Sequence, residues 1–230
     1  MGYLISAHIL PGERDFNALS QLPPSFGYAA YFHEAIRCHL LDIYASRKPP
    51  KYPFCSLVPA ADLPLDLPVE LSDLNLFYQV LVRLNRANGF KRSYVSLALL
   101  LSQRLSTDVM SFVADDDQLD FACTVRNGAV TRLHFRCEDL LVTYSPSGLL
   151  VEPLFSEDEP DAEWLTDLVD LKAALPFAVV KERTMSIPTT LHSLATREVA
   201  EFTGVTRPIL GLGSFDPPQD ERQWRKVLQR

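Results

Sequence analysis

The chain has 230 residues, 47% of them hydrophobic and 22% charged, with a formal net charge of −7. That is ordinary globular composition, long enough to bury a large core and too apolar for a disordered chain. The acidic balance argues against nucleic acid or an anionic membrane as the main partner. No apolar run reaches the 18 residues that a membrane span needs, and the start "MGYLISAHIL" has no basic n-region or small-residue cleavage site, so a cytoplasmic location is expected.

Alternation at Leu4, Ser6, His8 and Leu10 predicts a first strand near 3–10, although "MGYLIS" also matches the N-myristoylation pattern. Phe32, Ile36, Leu40 and Ile43 recur at helical spacing and predict a helix over about 28–46. Residues 49–68 hold six of the 17 prolines and predict an extended arm packed on the body. Leu74, Phe77, Leu81 and Leu84 predict a helix over about 72–88, and "SLALLLS" a central helix over about 93–105.

From residue 109 the period changes to two. Strands are expected at about 109–114, 118–125, 129–137, 140–145 and 149–154, then a helix near 161–173 and a strand near 176–184. A short helix over about 193–203 ends at Gly204, and Trp224, Val227 and Leu228 predict a last helix over about 219–229. The expected fold is a single α+β domain over 1–230. A helical lobe (about 1–106) packs on a β-rich lobe (about 107–230) with a mainly antiparallel meander sheet and C-terminal helices.

"LDFACTVRNGAVTRLHFRC" is a hairpin turning at Asn127-Gly128. A two-residue loop sets Phe121 against His134 and mixes core with charge on one face, which a half-buried strand does not tolerate. A three-residue loop, Arg126-Asn127-Gly128, restores the alternation and predicts Asp120 opposite His134. A carboxylate beside an imidazole is half of an acid–base device. Asp120 and His134, with Arg132 and Arg136 to hold an anionic substrate, are therefore the candidate catalytic set.

No nucleophile motif, phosphate loop or dinucleotide unit accompanies that set. "ILGLGSF" has Gly211 and Gly213 but no following βα unit. Cys38, Cys55, Cys123 and Cys137 lack metal-ligand spacing and read as buried free thiols. His33 and His39 are six apart, wrong for a zinc helix, while Asp115, Asp116, Asp117 and Asp120 lack the calcium-loop pattern. Neither a metal nor a cofactor is expected.

Between Arg136 and Lys172 no basic residue occurs, whereas ten carboxylates do, so the remainder of the chain is +3. Seven of the ten fall within 157–170. Glu157, Asp158, Glu159, Asp161 and Glu163 surround Trp164, a combination of steering charge and aromatic anchor that suits a basic protein surface.

The layout of residues 101–135, "LSQRLSTDVMSFVADDDQLDFACTVRNGAVTRLHF", has a helix feeding a strand, an acidic turn and an N-G hairpin. In this it resembles bacterial immunity proteins encoded beside polymorphic or contact-dependent secreted toxins. The resemblance implies a cytoplasmic binder that occludes the basic site of a toxin. The alternatives are a small hydrolase or transferase built on Asp120 and His134, and an adaptor using the proline-rich arm and the basic C-terminal residues Arg222, Arg225, Lys226 and Arg230.

Overall fold

Strand β1 (Leu4–Pro11) runs between two partners that the sequence separates widely, β3 (Cys38–Tyr44) and β4 (Val109–Asp115). The structure, a computed structural model, describes residues 4–12, 26–33, 37–44, 71–83, 92–115, 118–137, 140–155, 169, 172–181, 185–186, 197–204 and 224–229. The first half supplies β1, β2 (Gly27–His33), β3, α1 (Ser72–Arg83) and α2 (Arg92–Leu105). Next come β4, β5 (Gln118–Arg126), β6 (Ala129–Cys137), β7 (Leu140–Ser145) and β8 (Gly148–Phe155). After them come β9 (Ala178–Val180), β10 (Met185–Ser186) and β11 (Trp224–Gln229). All the strands join one sheet in the order β10-β8-β7-β6-β5-β4-β1-β3-β2-β11, with β9 also on β8. Only β9 and β10 pair in parallel, end to end along the outer edge of β8.

The helical N-terminal lobe expected from the sequence is therefore absent; strands stand in its place. Residues 27–33 and 38–44 form a hairpin paired from Gly27↔Tyr44 to His33↔Cys38. The apparent helical stripe at Phe32, Leu40 and Ile43 is a coincidence of a segment buried on both sides. All of β3 is buried, the polar His39 and Asp42 included, so its sequence carries no period that separates strand from helix. His33 and His39 accordingly sit on a hairpin, and the His39 ring bonds the Gly12 carbonyl through Nδ1 at 2.8 Å. The C-terminal helix is likewise a strand: β11 lies antiparallel on β2, with a bulge between Lys226 and Leu228. A six-residue segment gains little from an isolated helical turn and more from the open backbone groups of β2.

α1 and α2 cover one face of the sheet. Leu74, Phe77 and Val80 turn inward from α1, as does Leu71 just before it, and Phe77 meets Phe135 edge-on at 5.9 Å between centroids. α2 is buried at every residue from 93 to 99, as its all-round apolar sequence requires of a central helix. Its Tyr94 packs against Phe121 at 5.7 Å, a contact of the kind worth about 0.5–1.5 kcal/mol beyond area burial. The second face is buried as well, with Ala7, Ile9, Leu40, Met110 and Phe112 each at most 1% exposed. The helical turns 197–203 stand on that face.

The β5–β6 hairpin departs from the three-residue loop. Asn127 and Gly128, at φ 50° and 76°, form a two-residue turn flanked by Arg126↔Ala129 and Val125↔Val130. Thr131 is then an extra residue: the next pairs are Thr124↔Arg132, Cys123↔Leu133, Ala122↔His134 and Phe121↔Phe135. This bulge does the work assigned to a longer loop, and the Thr131 hydroxyl donates to the Thr124 carbonyl at 3.2 Å. Each strand therefore presents the expected face, but residues meet partners two positions away from those expected. Cys38 and Cys123 are buried free thiols, as expected. Burial pushes the Cys38 thiol up to about 11 and raises Cys123 further. Deleting Thr131 removes the bulge and keeps every pair, so that variant should fold with a Tm about 2–4 °C lower at most. Deleting Ala122 turns Phe121 to the wrong face and should abolish cooperative unfolding in a thermal melt.

Candidate functional site

Along β6 the side chains of Leu133 and Phe135 enter the helix-covered core, so Arg132, His134 and Arg136 share the other face. On that face β7 brings Thr143 opposite His134. The turns 197–203 bring two carboxylates, Glu198 and Glu201, which are neighbours on a helix because they are three residues apart. Gly204 ends these turns at φ 74°, its N–H donating to the Ala200 carbonyl at 2.8 Å. Buried Val199 anchors them beside Glu198.

Glu198 is the centre of the cluster. It is 3% exposed, and both its oxygens accept from Arg132 Nη1, at 3.0 and 3.2 Å. The same Nη1 lies 2.5 Å from Glu201 Oε2, and Arg197 approaches Glu198 at 3.6 Å and Glu201 at 3.9 Å. His134 Nε2 lies 3.2 Å from Glu198 Oε1, within ion-pair distance but not aligned as a hydrogen bond. Its Nδ1 lies 2.9 Å from the Thr143 hydroxyl. Burial acts to raise the Glu198 carboxyl, but His134 and Arg132 outweigh it and hold it below the usual carboxylate range. Farther along the same face Lys181 pairs with the buried Glu152.

Beside the cluster a groove of about 290 Å³ opens between the Thr124–Thr131 end of the hairpin and the turns 197–203, where Phe202 forms one wall. Arg126, Arg132 and Glu201 also line it, whereas His134 and Thr143 do not. Chemically, a carboxylate, an imidazole and a hydroxyl in line can draw a proton from the hydroxyl. Here the carboxylate is already engaged by Arg132, through both of its oxygens.

Comparison with protein-family models, curated proteins and solved structures finds no match to this chain.

Of the four residues proposed from sequence, Arg132 and His134 belong to this cluster. Asp120 does not face His134, because Ala122 takes that place. The carboxylate beside the imidazole is Glu198 instead. Arg136 shares the face and lies across from Leu141. Glu157, Asp158, Glu159, Asp161, Glu163 and Trp164, the expected partner-binding set, lie outside the described residues, as do Asp116 and Asp117 and the proline-rich arm. Among the described residues no three His, Cys, Asp or Glu side chains gather as a metal site. Sequence reasoning missed Glu198, Glu201 and Thr143. The one legible sign was a short helix, stopped by Gly204, with two acids on one side.

Because the folded-state pKa of Glu198 is depressed, its stabilisation is present above the ordinary carboxylate range and is lost as pH falls through the lowered value. Glu198→Gln should cost about 1–3 kcal/mol at pH 7 by leaving Arg132 and His134 facing a neutral amide. That deficit should shrink below about pH 4.5, the unperturbed carboxyl value, when urea midpoints of the two proteins are compared across pH.

Proposed function

We propose that the protein is a cytoplasmic protein-binding inhibitor of the immunity kind, whose acidic stretch covers the basic site of a toxin. One observation carries this reading: seven carboxylates in fourteen residues, 157–170, with no basic residue from 137 to 171. The described residues on either side of the stretch are Phe155, the last of β8, and Lys172, in a helical turn. Among the described residues several charges are matched internally. Arg132 and Arg197 are engaged by Glu198 and Glu201, and Lys181 by Glu152. Matching of that kind supports a fold whose acidic surplus faces an external cation. That no helix among the described residues is long and apolar enough to cross a membrane is compatible with this reading. Trp164 then supplies the apolar anchor that charge alone lacks.

A hydrolase or transferase acting on an anionic substrate is the second reading, favoured by the Glu198–His134–Thr143 line. If that line is catalytic, turnover of carboxylate or phosphate esters survives Thr143→Ser and disappears in Thr143→Val. An unaffected valine variant would remove the reading.

The binder reading makes a kinetic prediction. Affinity capture at low salt should retain one stoichiometric basic protein that high salt loosens. Reversing Glu157, Asp158 and Glu159 to lysine should slow its association about tenfold or more and weaken the salt dependence of the rate. An unchanged rate constant would exclude the segment from the contact.

A further inference from the structure

In one place the seam between α2 and the sheet carries a cluster of buried polar side chains. There β1 and β4 present Ser6, His8 and Ser111, and the first turn of α2 lowers Tyr94 onto them. Ser6 Oγ and the Tyr94 hydroxyl are 2.6 Å apart, as are His8 Nδ1 and Ser111 Oγ. The His8 and Tyr94 rings stack at 5.9 Å, tilted by 26°. His8 is 1% exposed, and its Nε2 finds no hydrogen-bond partner among the described residues.

An imidazolium needs an acceptor at each nitrogen. Ser111 Oγ offers one, and the second is missing. The groups facing the ring are the Ser111 hydroxyl from β4, Leu41 from β3 and Tyr94 from α2. Among the described residues no carboxylate acts on it, and burial lowers its pKa from 6.5 to about 3. The closed seam therefore admits only neutral His8. A state in which water reaches Nε2 restores its ordinary basicity.

The smallest opening that does so is local. Tyr94 is the third residue of α2, where the backbone N–H groups have no intrahelical partners and the end frays most readily. Unwinding that turn lifts one ring from His8 and leaves Leu97, Ala98 and Leu101 packed on the sheet. We propose that the first turn of α2 is an acid-released cap: mild acid lifts Tyr94 off His8 and admits water to the β1–β4 seam.

The sign follows from linkage. A histidine whose folded pKa is depressed disfavours the closed state as pH falls below the open-state value near 6.5, by a factor of about ten per pH unit, down to the closed-state value.

The test is native-state hydrogen exchange on the full chain from pH 7.5 to 5, corrected for intrinsic exchange rates. The amides of Ser96, Leu97 and Ala98 bond to the carbonyls of the first turn, and their protection should fall about tenfold per pH unit below 6.5. Those of Gln103 to Leu105 should hold steady. His8→Gln, which cannot take the proton, should remove the difference. Protection that is independent of pH, or that falls equally at both ends of α2, overturns the proposal. If the glutamine variant does not fold, the His8 ring nitrogen shifts of the parent protein decide: titration above pH 5 without loss of Ser96–Ala98 protection also overturns it.

Discussion

The antiparallel ladder between β1 and β4, from Leu4↔Asp115 to Ile9↔Met110, is the joint on which the architecture rests. On one side of it lie β3, β2 and β11; on the other lie β5 to β10. Without it the β1–β3 strands would form a small sheet with an unpaired apolar edge, and the meander would lose its only described link to them. Residues about a hundred positions apart must meet before any of its hydrogen bonds form, an entropic cost that only burial on both faces offsets. The buried side chains of Ala7, Ile9, Met110 and Phe112 provide that burial on one side, and Val109, Val113 and the helices provide it on the other.

The two faces of the sheet hold their polar groups in different ways. Beneath α2 the buried polar groups are neutral and paired through single hydroxyl contacts. On the opposite face two buried carboxylates each meet a cation: Glu198 with Arg132, Glu152 with Lys181. An unmatched ion inside a protein costs several kcal/mol, so the second face could be buried only once its ions were complementary. Internal complementarity of this kind favours a structural clasp for the turns 197–203 over a substrate site, and it directs attention to the acid-rich stretch after β8 as the place where charge is left to meet something else.

Much of the second half was legible because its strands alternate cleanly. β4 to β8 fall within a residue or so of their expected bounds, and α2 does too, since seven consecutive buried positions demand an apolar sequence. The β2–β3 hairpin was illegible for the opposite reason: Tyr28, Ala30, Leu41 and Ile43 face the helices while Ala29 and Leu40 are buried behind them, and the buried polar residues His39 and Asp42, of opposite parity, mark no period. At the hairpin, the faces were recoverable from alternation and the partners were not, because a bulge at Thr131 and a longer turn preserve the same parity. His134 and Arg132 could be found from that parity. Glu198 could not, because the contact joins residues 66 positions apart in the chain, as its bond to Arg132 shows, and nothing in the local pattern points to the pairing.

The placement of β11 has a consequence for synthesis. β2 has β3 on one side and β11 on the other, so its outer row of backbone groups stays open while nearly two hundred further residues are made. A nascent chain thus carries an aromatic-rich hairpin, "GYAAYFH" with its partner strand, unsealed for most of its translation. Such an edge is a template for pairing with other chains. The β2 edge, made early, is the last to be paired, and residues 224–229 are the closing clasp of the sheet.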